Sequence, residues 1–185
     1  MFDYQKNINW LDGINHLPSP NFNERPYGEV SLIVIHCISL PPGKFGTKKV
    51  QQFFKNELDF TENPSFAELS NLKVSAHFLI ERDGEITQFV ACNKRAFHAG
   101  ISNFKGRENC NDFSIGIELE GTTDMPFTDV QYYKLARLIK DLSKIYPAIY
   151  HNGKFNICGH SDIAPNRKTD PGIYFAWSKL FKLLL

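Results

Sequence analysis

The sequence predicts an α+β fold, a mixed central β-sheet flanked by helices, on three observations. Short apolar, β-branched runs recur along the chain, and two of them flank a hairpin signal at Arg82-Asp83-Gly84. Helical periodicity with a recognisable cap stands between other runs. No repeat, low-complexity tract or Gly/Ser linker divides the chain, and 185 residues suit one core better than two. The expected organisation is a single domain over residues 1–185, in which an Asn- and Pro-rich segment, residues 1–28, wraps the core as irregular chain.

Residues 30–36 form an apolar, β-branched run that reads as a buried strand ending at His36, after which Leu40-Pro41-Pro42-Gly43 forces a loop. A short helix is expected over residues 49–57. Residues 76–81 and 85–90 are strand-like, and the Asp-Gly pair between them tolerates the positive φ that tight turns need. Residues 113–120 alternate and read as a further strand. Thr128 and Gln131 form a capping-box pattern, Leu135, Leu138, Ile139 and Leu142 follow at helical spacing, and Pro147 closes that helix. Residues 155–159 suit another strand and residues 174–184 a last helix. Strands interleaved with helices, one pair antiparallel, give a mixed sheet with helices packed on it.

Twenty-one Lys and Arg nearly cancel 20 Asp and Glu, so charge gives no reason to expect nucleic acid or an anionic membrane as partner. No apolar run approaches the length of a membrane span. The first residues carry neither a basic n-region nor an apolar h-region. The four cysteines are widely spaced without a CxxC pair. Together these lead to the expectation of a cytoplasmic protein with reduced thiols.

Two histidines stand at expected strand ends, His36 and His160, and Asp170 follows in a loop long enough to return beside His160. Side chains at strand ends are held by the sheet yet project into loops where a site can open. Two imidazoles and a carboxylate would make a three-ligand zinc site with a fourth position for water. Spacing alone does not select them: among six histidines a hydrogen-bonded structural role is the commoner one, and the compact HExxH arrangement is absent.

Five segments in order carry a resemblance. They are Ile35-His36-Cys37-Ile38-Ser39-Leu40-Pro41-Pro42-Gly43, Val74-Ser75-Ala76-His77-Phe78-Leu79-Ile80, Arg95-Ala96-Phe97-His98-Ala99-Gly100, the run from Asn111 through Ile117-Glu118-Leu119-Glu120 to Gly121, and the run from Gly159-His160 through Arg167-Lys168-Thr169-Asp170 to Gly172. Together they resemble the AmpD-type 1,6-anhydro-N-acetylmuramoyl-L-alanine amidases, of the superfamily that includes phage-lysozyme-type amidases and peptidoglycan recognition proteins. The resemblance covers nearly the whole chain.

It implies a zinc amidase domain with His36, His160 and Asp170 as ligands of Zn2+. It makes Glu118 the carboxylate that orients and deprotonates water, and Lys168 the cation facing the developing oxyanion. Lys73, Phe97 and His98 become substrate contacts. The implied reaction cuts between the lactyl group of an anhydromuramic acid and the L-alanine of a muropeptide, in peptidoglycan recycling. Glu118 and Glu120 share a face of one strand, so parity cannot choose between them; only the resemblance favours Glu118. His77 reads as a structural hydrogen-bonder, His16 and His151 as surface residues, and Cys37 and Cys158 as buried thiols. Lys73 and Asn109 stand where relatives carry arginines, and Phe97 replaces a common Trp, which bears on peptide recognition more than on cleavage. The same chemistry on intact peptidoglycan, a non-catalytic muropeptide-binding module, and a thiol hydrolase using Cys37 or Cys158 remain as alternatives.

Overall fold

The structure, a computed structural model, describes residues 9–185. In chain order its strands begin with Asn15–His16 (β1), Phe22–Glu24 (β2), Leu32–Ile38 (β3), Phe78–Ile80 (β4), Ile86–Gln88 (β5) and Lys94–Ala96 (β6). Asn103–Phe104 (β7), Arg107–Glu108 (β8), Ser114–Glu120 (β9), Tyr150–His151 (β10), Lys154–Phe155 (β11) and Ile157–Gly159 (β12) complete them. The α-helices are Lys49–Phe54 (α1), Asp129–Ile145 (α2), His160–Ile163 (α3) and Trp177–Leu184 (α4). Six strands form the main sheet in the order β1-β5-β4-β9-β3-β12. Only β4 and β5 pair antiparallel within it, so the sheet is mixed and the fold is α+β, as the sequence predicts.

Alternation along β3 and β9 divides the molecule. Successive side chains in a strand point to opposite faces. Ile33, Ile35, Ile115, Ile117 and Leu119 pack with Leu135, Ile139 and Leu142 of α2 and Leu180 and Leu184 of α4 in one apolar cluster. Leu32 and Val34 face the other way, into a smaller cluster with Ala99, Phe113, Cys158 and Ile163. His36, Ser114, Gly116 and Glu118 continue that second face. One side of the sheet is therefore hydrophobic core, and the other carries polar side chains at the C-terminal ends of parallel strands, where α/β sheets usually place their sites.

The capping box of α2 forms as expected: Gln131 N donates to Thr128 Oγ1 at 3.2 Å, and Thr128 N donates to Gln131 Oε1 at 3.0 Å. The β4–β5 hairpin closes with Gly84 N donating to Glu81 O, and Gly84 alone of its turn takes a positive φ. His160 follows a strand end, as expected, and opens α3 directly after β12. Two expectations are corrected. β3 does not stop at His36 but continues to Ile38, because β9 still pairs with it there. The segment expected to be irregular over residues 1–28 carries β1, paired parallel with β5, and β2, paired antiparallel with β6. Strands of two or three residues leave no room for a periodic pattern. Residues 1–8 of that segment lie outside the described residues.

Candidate metal centre

Three neighbouring parallel strands bring the chemistry to one place. β9 and β12 flank β3, with Glu118 registered against His36 and Gly159 against Ile35. Registered residues on parallel strands project to the same face. His36 and Glu118 therefore lie side by side, and His160 emerges one residue beyond the end of β12. Asp170 is returned to this edge by a backbone bond, Ser161 N to Asp170 O at 2.9 Å. Gly172 has φ +93°, and a Cβ there would lie 2.2 Å from the Thr123 carbonyl oxygen, so only glycine lets this loop approach the β9–α2 connection so closely.

The ligand atoms converge. His36 Nδ1 and His160 Nδ1 are 3.0 Å apart, and each is 3.1 Å from Asp170 Oδ2. Burial pushes the His36 pKa down to about 4, against the raising effect of Asp170, so the ring is neutral near pH 7. His160 Nε2 lies 3.1 Å from the Ala99 carbonyl oxygen, which can only accept. In the neutral ring, the form that binds a metal, Nε2 therefore carries the proton and Nδ1 presents a bare lone pair beside a carboxylate oxygen. Two groups that both offer electron pairs do not bind each other; a cation between them would satisfy both. Tetrahedral zinc with bonds of 2.0–2.1 Å has ligand–ligand edges of about 3.3 Å, close to these separations. Two imidazole nitrogens and one carboxylate oxygen are also a donor set that zinc takes in catalytic sites. The residues fit the metal. Among the described residues, His36, His160 and Asp170 form the group able to hold one.

Glu118 and Glu120 separate by their contacts. Glu120 accepts from Gly46 N at 2.6 Å and Arg82 N at 3.1 Å, which makes it a fastener between two loops. Glu118 Oε2 is buried with no hydrogen-bond partner among the described residues. Burial, then the Asp170 charge, raises the Glu118 pKa well above the ordinary carboxylate range, and the Lys168 ammonium opposes both. Lys168 is partly buried, and its charge reaches His36 as well as Glu118.

The expected substrate contacts lie on neighbouring segments, since Ser75, two residues past Lys73, exchanges hydrogen bonds with Phe97. Lys73 is exposed in the segment leading to β4 and makes no hydrogen bond or ion pair with a described residue. Phe97 is partly exposed, with the Arg95 guanidinium 5.6 Å from its ring centroid. His98 lies behind His36: its Nδ1 is 2.9 Å from His36 Nε2, and its Nε2 is 3.3 Å from Ser114 Oγ. His77 is structural, accepting from Gly116 N through Nδ1 and donating to Lys94 O through Nε2; burial, then Arg25, pushes its pKa down to about 3. Burial pushes the thiol pKa of Cys37 and Cys158 up, which argues against either as a nucleophile. Asn109 is exposed beside a cleft of about 350 Å3 lined also by Ile101, Glu108 and Arg167.

Sequence reasoning missed the residues that hold this arrangement. Arg25 lies in the segment expected to wrap the surface, yet it is buried and donates to the carbonyls of Asn111 and Ser114 at 3.0 and 2.8 Å. Asn111 and Ser114 stand inside a motif that the sequence displays, but nothing in a lone Asn or Ser marks a support.

The N-acetylmuramoyl-L-alanine amidase family matches residues 26–173. The 1,6-anhydro-N-acetylmuramyl-L-alanine amidase AmpD of Haemophilus influenzae is 52% identical over 178 residues, spanning 96% of this chain and 94% of that protein. A crystal structure of a selenomethionine AmpD derivative superposes with a TM-score of 0.90 at 48% identity, covering 96% of this chain and 97% of that one. The amidase AmiD of Escherichia coli, solved with the substrate anhydro-N-acetylmuramic acid-L-Ala-D-γ-Glu-L-Lys, has a TM-score of 0.58 at 30% identity, covering 83% of this chain and 57% of that one.

Proposed function

The chain belongs to the N-acetylmuramoyl-L-alanine amidase family, and from that premise we propose that it is a zinc-dependent amidase of anhydromuropeptides. It hydrolyses the amide bond joining the lactyl carbonyl of (anhydro)muramic acid to the nitrogen of L-alanine. Water adds across that bond, leaving a lactyl carboxylate on the sugar and a peptide with a free L-alanine amine. The 1,6-anhydro substrate named for the AmpD relatives supports a place in peptidoglycan recycling, and the cytoplasm is the compartment proposed for it. None of the described helices is long and apolar enough to cross a membrane.

His36, His160 and Asp170 would hold the zinc, which when bound lowers the pKa of water to about 7 and polarises a carbonyl. The remaining work falls to the chain's own side chains. Glu118, whose Oε2 has no hydrogen-bond partner among the described residues and whose pKa burial raises well above the ordinary carboxylate range, takes a proton from the attacking water and passes it to the alanine nitrogen as the C–N bond breaks. Lys168 offsets the charge that develops on the carbonyl oxygen. Lys73 and Phe97 are proposed as contacts for the stem peptide and the sugar.

The observation that carries this reading is the triangle of His36 Nδ1, His160 Nδ1 and Asp170 Oδ2, with sides of 3.0–3.1 Å, beside the unpartnered Glu118 Oε2. Mass spectrometry of an anhydromuropeptide incubated with zinc-loaded protein should find the free L-alanine-led peptide and the anhydro sugar acid. Unchanged substrate would overturn the reading. Equal rates on reduced, non-anhydro muropeptides would move the substrate from turnover fragments to intact wall.

A further inference from the structure

One stretch of backbone stands behind both candidate ligand histidines. His98 N and Ala99 N both donate to Asn111 Oδ1, at 3.2 and 2.8 Å. From that anchored stretch the His98 ring reaches His36 and the Ala99 carbonyl reaches His160. β9 provides the seat for the ring. A Cβ on Gly116 would lie 2.4 Å from His98 Cγ, so the ring fits only over glycine.

Proton positions follow from the far end of the chain of contacts. The Cys110 carbonyl can only accept, so the Ser114 hydroxyl, 2.5 Å away, donates to it. With its proton committed, Ser114 Oγ accepts from His98 Nε2–H at 3.3 Å. A neutral imidazole has one N–H, so His98 Nδ1 holds a lone pair and accepts from His36 Nε2–H at 2.9 Å. His36 Nδ1 is then bare and faces Asp170 and His160. The Ala99 carbonyl imposes the same tautomer on His160. Ligand histidines commonly hand their second N–H to a carboxylate, a carbonyl or water. His160 follows that habit; His36 hands it to another imidazole, whose own proton order Ser114 sets.

We propose that His98 is a positioning residue of the metal centre and not a substrate contact: with the Asn111-anchored Ala99 carbonyl, it fixes the tautomers that leave both ligand nitrogens bare. The proposal rests on the zinc reading above. Both of its ring nitrogens are occupied by protein atoms, which leaves neither for a substrate.

The test measures zinc affinity by competition with a chelator, together with KM and kcat at saturating zinc. It uses wild type, His98→Leu, His98→Asn and Ser114→Ala. His98→Leu keeps bulk without an acceptor and should weaken zinc binding by about 10–100-fold with KM unchanged, the size expected for an outer partner of a metal ligand. His98→Asn places Oδ1 where Nδ1 accepts and should recover most of that affinity. Ser114→Ala should weaken zinc binding by a smaller factor, and decides the matter should His98→Leu not fold. Ring-nitrogen NMR of the metal-free wild type should find His36 and His98 both protonated at Nε2. A His98→Leu protein with wild-type zinc affinity and a raised KM would overturn the proposal, as would folded Ser114→Ala with unchanged affinity or His36 protonated at Nδ1. Wild type that takes up no zinc would instead sink the metal reading beneath it.

Discussion

His36 and Glu118 are directly paired across the β3–β9 ladder, so backbone register alone sets a candidate ligand beside the carboxylate proposed as base. Neither side chain needs a loop to bring it to the other. Catalytic geometry built on paired strands is held more tightly than geometry built on loops. Glu118 is thus the group whose removal best separates chemistry from metal binding. Glu118→Ala should retain zinc and lose about 10²–10⁴-fold in kcat, the usual contribution of a positioned base. Metal content by atomic spectroscopy and turnover on the same preparation check this; normal turnover would end the base assignment.

The same residue shapes the pH response. A base must be ionised to accept a proton, and burial with the Asp170 charge raises the Glu118 pKa well above the ordinary carboxylate range. In the metal-free protein the Glu118 carboxyl should therefore titrate above the range where exposed carboxylates do, and the charge of added zinc should bring that titration down. Carboxyl NMR of Glu118 with and without zinc checks this, and a metal-free titration confined to the ordinary carboxylate range would contradict it.

Stability should follow the same titration. A carboxyl with a raised folded-state pKa binds more protons folded than unfolded, so stability falls as pH rises from the ordinary value through the raised one. Above that window metal-free wild type carries the buried, unpartnered carboxylate. Glu118→Gln removes the charge and should make the metal-free protein more stable near pH 8, by about 1–3 kcal/mol, the scale of one unsatisfied buried group. Thermal melts of both proteins at pH 5 and pH 8 measure the difference, which should shrink at the lower pH.

Chelation should abolish activity, and zinc should restore it. It should also lower Tm, because a ligand that binds only the folded state stabilises by mass action. His36→Ala and Asp170→Ala should lose metal and activity together, beyond the 10–100-fold or so expected from losing an outer partner. A variant that kept stoichiometric zinc would show that the ion sits elsewhere.

How far the sequence reveals this molecule depends on how local each signal is. α2 is legible because its cap, Thr128 with Gln131, and its buried face, Leu135, Leu138, Ile139 and Leu142, lie within a few turns. β3 and β9 are legible as apolar or alternating runs. β1 and β2 are not, since two or three residues have no period. The site is non-local: His36 is separated from His160 by 124 positions and from Asp170 by 134. Nothing in spacing foretells their meeting; the ordered motifs do so only through resemblance. Glu118 and Glu120 are equivalent by strand parity and differ only in what reaches them, backbone amides at Glu120 and none at Glu118 Oε2. His98 shows the same limit: only the resemblance places it at the substrate, and nothing in the sequence shows that Gly116 seats its ring.

Gly172 offers a test of how Asp170 is held. Its φ of +93° disfavours any side chain, and the Cβ of an alanine would lie 2.2 Å from Thr123 O and 2.4 Å from Thr123 Cα. Both obstacles are backbone, which cannot swing aside as a flexible side chain would. Relief must come from the loop, and that loop carries Asp170 two positions away. Gly172→Ala should therefore weaken zinc binding and turnover although it alters no ligand, while α2 and the main sheet persist. Chelator competition together with far-ultraviolet circular dichroism separates the outcomes. Wild-type zinc affinity in a folded Gly172→Ala protein would show that the Asp170 carboxylate is placed independently of this close approach.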